Sequence, residues 1–127
     1  MRYLGVDFGT KKIGLAISDE KGQMAFPLQT ILYKSDRFVF ARLKEIVEKN
    51  QIERIVAGLP VSIQKTQTDI SKKVERFAQK LSQSTDLSVD FEREFMTTKI
   101  AKISSSKKID EASAALILQS YLDRKNR

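Results

Sequence analysis

The segment YLGVDFGTKKIGLAISD, residues 3–19, contains two apolar runs joined by a short polar turn. The first run predicts a buried strand that ends on Asp7, and residues 13–18 predict a second strand. Residues 9–12 between them carry the Gly and polar residues that are typical of a tight turn. Two strands joined so closely pair in antiparallel fashion, and residues 24–32 predict a third strand after the next turn.

The rest of the chain alternates helical and extended patterns. Apolar residues recur at helical spacing in three long segments, and the short apolar runs between these segments are typical of buried strands. The predicted elements are a helix over 36–50, a strand over 55–57, a helix over 67–82, a strand over 87–91, a short helix near 98–102 and a helix over 109–122. Hairpin strands followed by alternating helices and strands predict an α/β protein with a mixed sheet and helices on its faces.

The composition narrows the possible chemistry. The length of 127 residues fits a single domain over residues 1–127. The absence of Cys and His excludes disulfides, zinc–thiolate sites, thiol nucleophiles, imidazole bases and His-ligated metals. Catalysis is left to carboxylates, Lys, Tyr, Ser or Thr. A metal site in this chain has to be rich in oxygen, which favours Mg²⁺ or Mn²⁺.

The charge balance indicates the kind of partner. There are 23 Lys and Arg residues and 16 Asp and Glu residues, which gives a net charge of +7. Such an excess favours a polyanionic partner, most often nucleic acid. No apolar stretch approaches the length of a membrane span or of a signal-peptide core, so we expect a cytoplasmic protein without a membrane partner.

Acidic residues stand at the ends of three predicted elements. Asp7 ends the first strand, Asp90, Glu92 and Glu94 share one face of a late strand, and Asp110 opens the last helix. Each has an ordinary alternative role, as a turn residue, a solvated edge-strand residue or a helix N-terminal acid. If they converge at one end of the sheet, a divalent cation would keep these mutually repelling carboxylates ionised. Two metal ions in such a cluster can activate water and stabilise the leaving oxygen of a phosphodiester.

Residues 3–19 resemble the opening of the YqgF-type family, whose members are described as Holliday junction resolvases or as pre-16S ribosomal RNA nucleases. Two further segments match in order, VAGLP at residues 56–60 and KIDEASAALILQSYLD at residues 108–123. The resemblance covers almost the whole chain. It implies a ribonuclease H-like fold, with a mixed five-stranded sheet in which three antiparallel strands come first and parallel strands follow, and with helices on both faces.

The resemblance also implies an activity. It implies a metal-dependent endonuclease that hydrolyses phosphodiester bonds in structured nucleic acid, with maturation of the 5′ end of pre-16S ribosomal RNA as its role in ribosome biogenesis. The implied catalytic acids, which would also hold Mg²⁺ or Mn²⁺, are Asp7, a Glu of the late strand and Asp110. An alignment anchored on Thr97 and Thr98 selects Glu94 as the middle acid. An alignment anchored on Glu92 selects that residue instead and needs a two-residue insertion, so we prefer Glu94.

The chain departs from the family pattern in two places. The Asp and Arg that usually flank the middle Glu are Arg93 and Phe95 here. After Pro60, the usual Leu-Asn-Met-Asp-Gly-like loop reads VSIQK, so that Gln64 and Lys65 replace an acid and a Gly. These differences bear on the choice of substrate more than on the class of reaction.

Polar and basic residues near the ends of the catalytic strands are candidate contacts for a phosphate backbone. One group lies in the first turn, one residue follows Pro60, and a run of four Lys without an intervening acid precedes the last helix. The candidates are Thr10, Lys11, Lys12, Lys65, Lys99, Lys102, Lys107 and Lys108.

Other functions remain open at this point. One is a Holliday junction resolvase for recombination or repair, for which a homodimer would suit a two-fold substrate, although the sequence also fits a monomer. Another is a non-catalytic RNA-binding factor of ribosome assembly on the same fold. A third is a nucleotide-binding module, since the turn after Asp7 also resembles the phosphate-binding turn of actin-like ATPases. Those enzymes need two such domains.

Overall fold

The computed structural model describes residues 1–62, 69–96 and 109–127. Within these ranges the chain forms five strands and three helices. The elements are β1 (Tyr3–Phe8), β2 (Lys12–Ser18), β3 (Ala25–Leu32), α1 (Asp36–Lys49), β4 (Arg54–Ser62), α2 (Asp69–Thr85), β5 (Val89–Met96) and α3 (Glu111–Lys125). The short helix predicted near 98–102 lies outside the described residues.

The five strands form one sheet in the order β3-β2-β1-β4-β5. β1 pairs with β2, and β2 with β3, in antiparallel fashion. β1 pairs with β4, and β4 with β5, in parallel fashion. This arrangement confirms the predicted mixed sheet. Because β1, β4 and β5 run in the same direction, their carboxyl ends lie at the same end of the sheet.

Helices cover both faces of the sheet, as predicted. Leu4 and Val6 of β1 belong to a core that also contains apolar residues of α1 and α2. The alternate residue Gly5 faces α3, because a Cβ on Gly5 would lie 2.8 Å from the Cβ of Leu118. β1 is therefore buried on both faces, which explains why it reads as an almost continuous apolar run.

β4 and β5 extend further than the sequence predicts. Gly58 and Pro60 are typical of a strand end, yet β4 continues through them and pairs with β5. The last pair between β1 and β4 joins Val6 to Ala57. Pro60 therefore lies beyond β1, where one side of β4 has no partner strand to bond, and a proline without an N–H group is tolerated there.

None of the helices in the described ranges combines the length and the apolarity that a membrane span requires.

Candidate active site

Asp7 lies near the end of the central strand and is only 4% exposed. Its side chain projects from the same face as Gly5, the face that α3 covers, because residues two apart on a strand point the same way. A buried carboxylate is costly unless hydrogen bonds or positive charge compensate it. Its burial and its place on the central strand together hold this acid in a fixed position at the carboxyl end of β1.

Asp110 reaches the same face from the start of α3. It is the N-cap of the helix, and its Oδ1 accepts a hydrogen bond of 3.0 Å from the backbone N–H of Ser113. Its backbone lies directly on β2, because a Cβ on Gly14 would be 2.0 Å from the Asp110 carbonyl oxygen. Gly14 is paired with Asp7 across the two strands. Since paired residues project to the same face, Asp7 and Asp110 are neighbours at this end of the sheet.

Two further contacts fix the start of α3. A Cβ on Gly9 would lie 3.3 Å from the Cγ1 of Ile109, so Ile109 packs on the turn after β1. The backbone N–H of Glu111 donates a hydrogen bond of 3.0 Å to the hydroxyl of Thr30 on β3, and the Thr30 hydroxyl contacts the Glu111 carboxylate. The sequence does not predict the Thr30–Glu111 pair, since no local pattern links residues so far apart.

Glu94 approaches the site from β5. The Val6–Ala57 pair sets Gly58 beside Asp7, and Gly58 is itself paired with β5. Glu94 extends its carboxylate over Gly58, because a Cβ there would lie 3.1 Å from the Glu94 Oε2. Because Gly58 has no side chain, the Glu94 carboxylate can occupy the space above it, between β5 and Asp7.

Glu92 has a different environment from Glu94, although both project from the same face. It is 8% exposed, and α3 holds both of its oxygens. Its Oε2 accepts a hydrogen bond of 2.7 Å from Ser120, and its Oε1 accepts one of 2.6 Å from Arg124. Hydrogen bonding to Glu92 raises the pKa of Arg124. Glu92 therefore anchors β5 to α3, a role that strand alternation alone does not predict.

An open cleft adjoins Glu94. It has a volume of about 330 Å³ and lies between β5 and α3, with Ser113 and Leu116 on the helix side. Arg93, which stands where the family usually has an acid, also lines this cleft. Solvent and a substrate therefore have access to the Glu94 side of the site.

The structure brings Asp7, Glu94 and Asp110 to one face and one end of the sheet. In residues 1–62, 69–96 and 109–127, no group of three or more acidic side chains is arranged to hold a metal ion. The catalytic and metal-binding roles of the three acids stay predictions. The donor set itself consists of carboxylates only, which suits Mg²⁺ or Mn²⁺.

The candidate nucleic-acid contacts divide into two groups. Thr10 and Lys11 are exposed in the turn that follows Asp7, and Lys12 is half-buried at the start of β2. The backbone carbonyl of Lys11 accepts a hydrogen bond of 2.9 Å from the N–H of Tyr33. The other candidates, Lys65, Lys99, Lys102, Lys107 and Lys108, lie outside the described residues.

The chain is similar to known proteins in both sequence and fold. A family model described as "RuvX: Holliday junction resolvase" matches residues 1–124. A Streptococcus pneumoniae protein named "Putative pre-16S rRNA nuclease" is 38% identical over 138 residues, which cover 98% of this chain and 99% of that protein. A Koribacter versatilis protein of the same name is 35% identical over 134 residues, which cover 98% of this chain and 88% of that protein.

The fold is similar to that of the Fowlpox virus resolvase in a complex with Holliday junction DNA. The TM-score is 0.60 at 13% sequence identity, and 100% of each chain is covered. This likeness confirms the ribonuclease H-like fold. Since the family model matches almost the whole length and both relatives align over nearly all of the sequence, the chain belongs to the RuvX family of Holliday junction resolvases, the YqgF-type family that its motifs resemble.

Proposed function

We propose that this protein is a metal-dependent endonuclease that matures the 5′ end of pre-16S ribosomal RNA in the cytoplasm. The observation that carries the proposal is that Asp7 is paired with Gly14 and Asp110 packs on Gly14, with Glu94 over Gly58 at the same end of the sheet. The names of the S. pneumoniae and K. versatilis relatives support ribosomal RNA as the substrate.

The chain's own residues divide the work in the proposed mechanism. Asp7 supplies a carboxylate held rigidly by the central strand, and the Ser113 N–H orients the carboxylate of Asp110. Glu94 completes an all-oxygen donor set for Mg²⁺ or Mn²⁺. When bound, such an ion lowers the pKa of a water molecule and stabilises negative charge on the leaving oxygen. Arg93 places a positive charge beside the cleft at Glu94. It lies on the strand in which Phe95 replaces the arginine that the family usually has after the middle Glu.

The substrate is a polyanion, and the charge of the chain suits it. The net charge of +7 attracts nucleic acid despite the acidic centre. Thr10, Lys11 and Lys12 follow Asp7 closely, so they can contact phosphates next to the scissile bond. We include Lys65, Lys99, Lys102, Lys107 and Lys108 in the same proposed surface from their sequence positions.

A cleavage assay tests the proposal. Purified protein is incubated with a precursor 16S RNA fragment or a four-way DNA junction, with Mg²⁺, Mn²⁺ or EDTA. Asp110→Asn is the test variant, because Asn caps a helix about as well as Asp and the fold is retained. Asp69→Asn is the matched control, since Asp69 is an exposed acid in the first turn of another helix.

Metal-dependent cleavage that Asp110→Asn loses and Asp69→Asn keeps supports the carboxylate nuclease. Preference for the junction over the RNA would replace the ribosomal role with junction resolution, in line with the family description. Salt-sensitive RNA binding without any cleavage by the wild-type protein would contradict the nuclease and favour a non-catalytic assembly factor. Sedimentation with and without substrate decides between monomer and homodimer.

A further inference from the structure

An aromatic cleft opens on the face of the sheet opposite to the three acids. It has a volume of about 160 Å³ and lies between β1, α1 and α2. Four aromatic rings line it, from Phe8, Tyr33, Phe40 and Phe77. Because Phe8 directly follows Asp7, the aromatic cleft and the candidate active site lie at the same end of the sheet.

One ring forms the floor of the cleft, and the other three, which are half-buried, surround it. Phe77 is 4% exposed and is the floor. Its ring centroid lies 4.8 Å from that of Phe8 and 5.3 Å from that of Phe40. Tyr33 meets Phe8 edge-on at 6.2 Å. Protein interiors are normally close-packed, so half-buried rings around an open volume indicate a surface that can receive another flat group.

The rim of the aromatic cleft is basic. Lys73, Arg76 and Lys80 are exposed, line the cleft and share one face of α2, because they are three and seven residues apart. Among the described residues that line the cleft, none is acidic. Asp36 lies just outside it, where it accepts a hydrogen bond of 2.5 Å from the Tyr33 hydroxyl and lies 3.6 Å from the Lys80 ammonium group.

The aromatic cleft is also tied to the turn that follows Asp7. The backbone N–H of Tyr33 donates a hydrogen bond of 2.9 Å to the carbonyl of Lys11. The turn at Thr10 and Lys11 and the aromatic cleft are therefore directly adjacent.

We propose that the aromatic cleft binds an unpaired nucleobase of a single-stranded segment, with the phosphates of that segment against Lys73 and Arg76. Aromatic side chains beside a basic groove are the usual means of holding single-stranded nucleic acid. The cleft is smaller than the roughly 300–1,000 Å³ of most small-molecule sites, which suits one ring rather than a whole ligand. That the bound segment belongs to a substrate cleaved at the same end of the sheet rests on the proposed nuclease function.

A binding assay in EDTA tests the inference without cleavage. Fluorescence anisotropy measures the affinity for a short labelled single-stranded RNA and for the matching duplex. The test variants are Phe40→Leu, which removes the ring but keeps apolar volume, and Arg76→Gln. The controls are Phe26→Leu and Lys21→Gln, which alter an exposed ring on β3 and an exposed Lys far from the cleft. Phe40→Tyr restores a ring at the same position.

We expect Phe40→Leu to weaken single-strand binding about tenfold, with little effect on the duplex, and Phe40→Tyr to restore it. Arg76→Gln should reduce the slope of log affinity against log salt by about 0.7. Wild-type affinity in both test variants, or an equal loss for duplex and single strand, would overturn the inference.

The two proposals fail separately. Loss of binding in the cleft variants, together with no cleavage by the wild-type protein, leaves the base-binding cleft in place and removes the nuclease. Cleavage that depends on Asp110, together with unchanged binding in the cleft variants, removes the cleft and leaves the nuclease.

Discussion

The carboxylate of Glu94 lies over Gly58, in the space that a side chain at that position would fill. A Cβ on Gly58 would be 3.1 Å from the Glu94 Oε2 and 2.7 Å from the Cδ1 of Ile117 on α3. Side chains of β5 and α3 thus meet over Gly58 of β4, beside the proposed site.

Gly58→Ala tests this relationship. We expect it to lower cleavage at least tenfold, because the added methyl group displaces the Glu94 carboxylate. The same group crowds Ile117 and should lower the free energy of unfolding by about 1–3 kcal/mol. Cleavage rates and urea denaturation measure the two effects. Adding Ile117→Val relieves the crowding at the helix, so it should restore stability but not activity. Recovery of both would show that Glu94 was not displaced.

Gly14→Ala should have a larger structural effect. The new Cβ would lie 2.0 Å from the carbonyl oxygen of Asp110, and that contact is with backbone rather than with the end of a flexible side chain. The start of α3 has to move away from the sheet. We expect a loss of about 3 kcal/mol or more in the free energy of unfolding, measured by urea denaturation. A variant as stable as the wild type would contradict the close packing of Asp110 on β2.

Glu92 and Glu94 should respond in opposite ways to removal of charge. Glu92→Gln weakens the hydrogen bond from Arg124 in a buried position. We expect it to cost about 1–2 kcal/mol of stability, moderated because Arg124 is 56% exposed, and to leave cleavage largely intact.

Glu94→Gln should abolish cleavage while the protein stays folded. Denaturation and cleavage assays on both variants make the comparison. The reverse pattern, with activity lost only in Glu92→Gln, would make Glu92 the middle acid.

The stability of the protein should fall at high pH through Tyr33. Burial, together with the hydrogen bond to Asp36, raises the pKa of Tyr33 from 10.0 to about 12. The folded state therefore keeps this phenol protonated at a pH where the unfolded state has lost the proton. The resulting stabilisation is complete below about pH 10 and disappears as the pH rises through about 12. Tyrosinate absorbance and thermal melts between these values measure it, and Asp36→Asn should move the titration of Tyr33 to lower pH.

The sequence predicts those parts of the fold that depend on local patterns. The apolar runs of β1 and β2 are unmistakable because both strands are buried on both faces. Asp7 and Asp110 can be identified as candidates because they stand where a strand ends and a helix begins. They meet because the start of α3 packs on Gly14 of β2, the residue that is paired with Asp7.

Features that depend on distant partners could not be predicted. Glu92 and Glu94 are equivalent by alternation, and the hydrogen bonds from Ser120 and Arg124 of α3 to Glu92 depend on a distant helix. The full length of β4 depends on its pairing with β5 beyond the end of β1. The aromatic cleft draws its rings from β1, α1, α2 and the segment after β3, so no contiguous stretch of sequence carries its signature.

The strand order has a consequence for local opening of the structure. In the described part of the sheet β1 lies between two neighbours, whereas β5 is bonded on one side only. Amide protons of β1 should therefore exchange with solvent only through global unfolding, while those of β5 exchange through smaller openings. The proposed ligand set then combines a carboxylate of the central strand, which is the most protected, with one of an edge strand, which can separate first. The site would therefore assemble and come apart through movement of Glu94 rather than of Asp7.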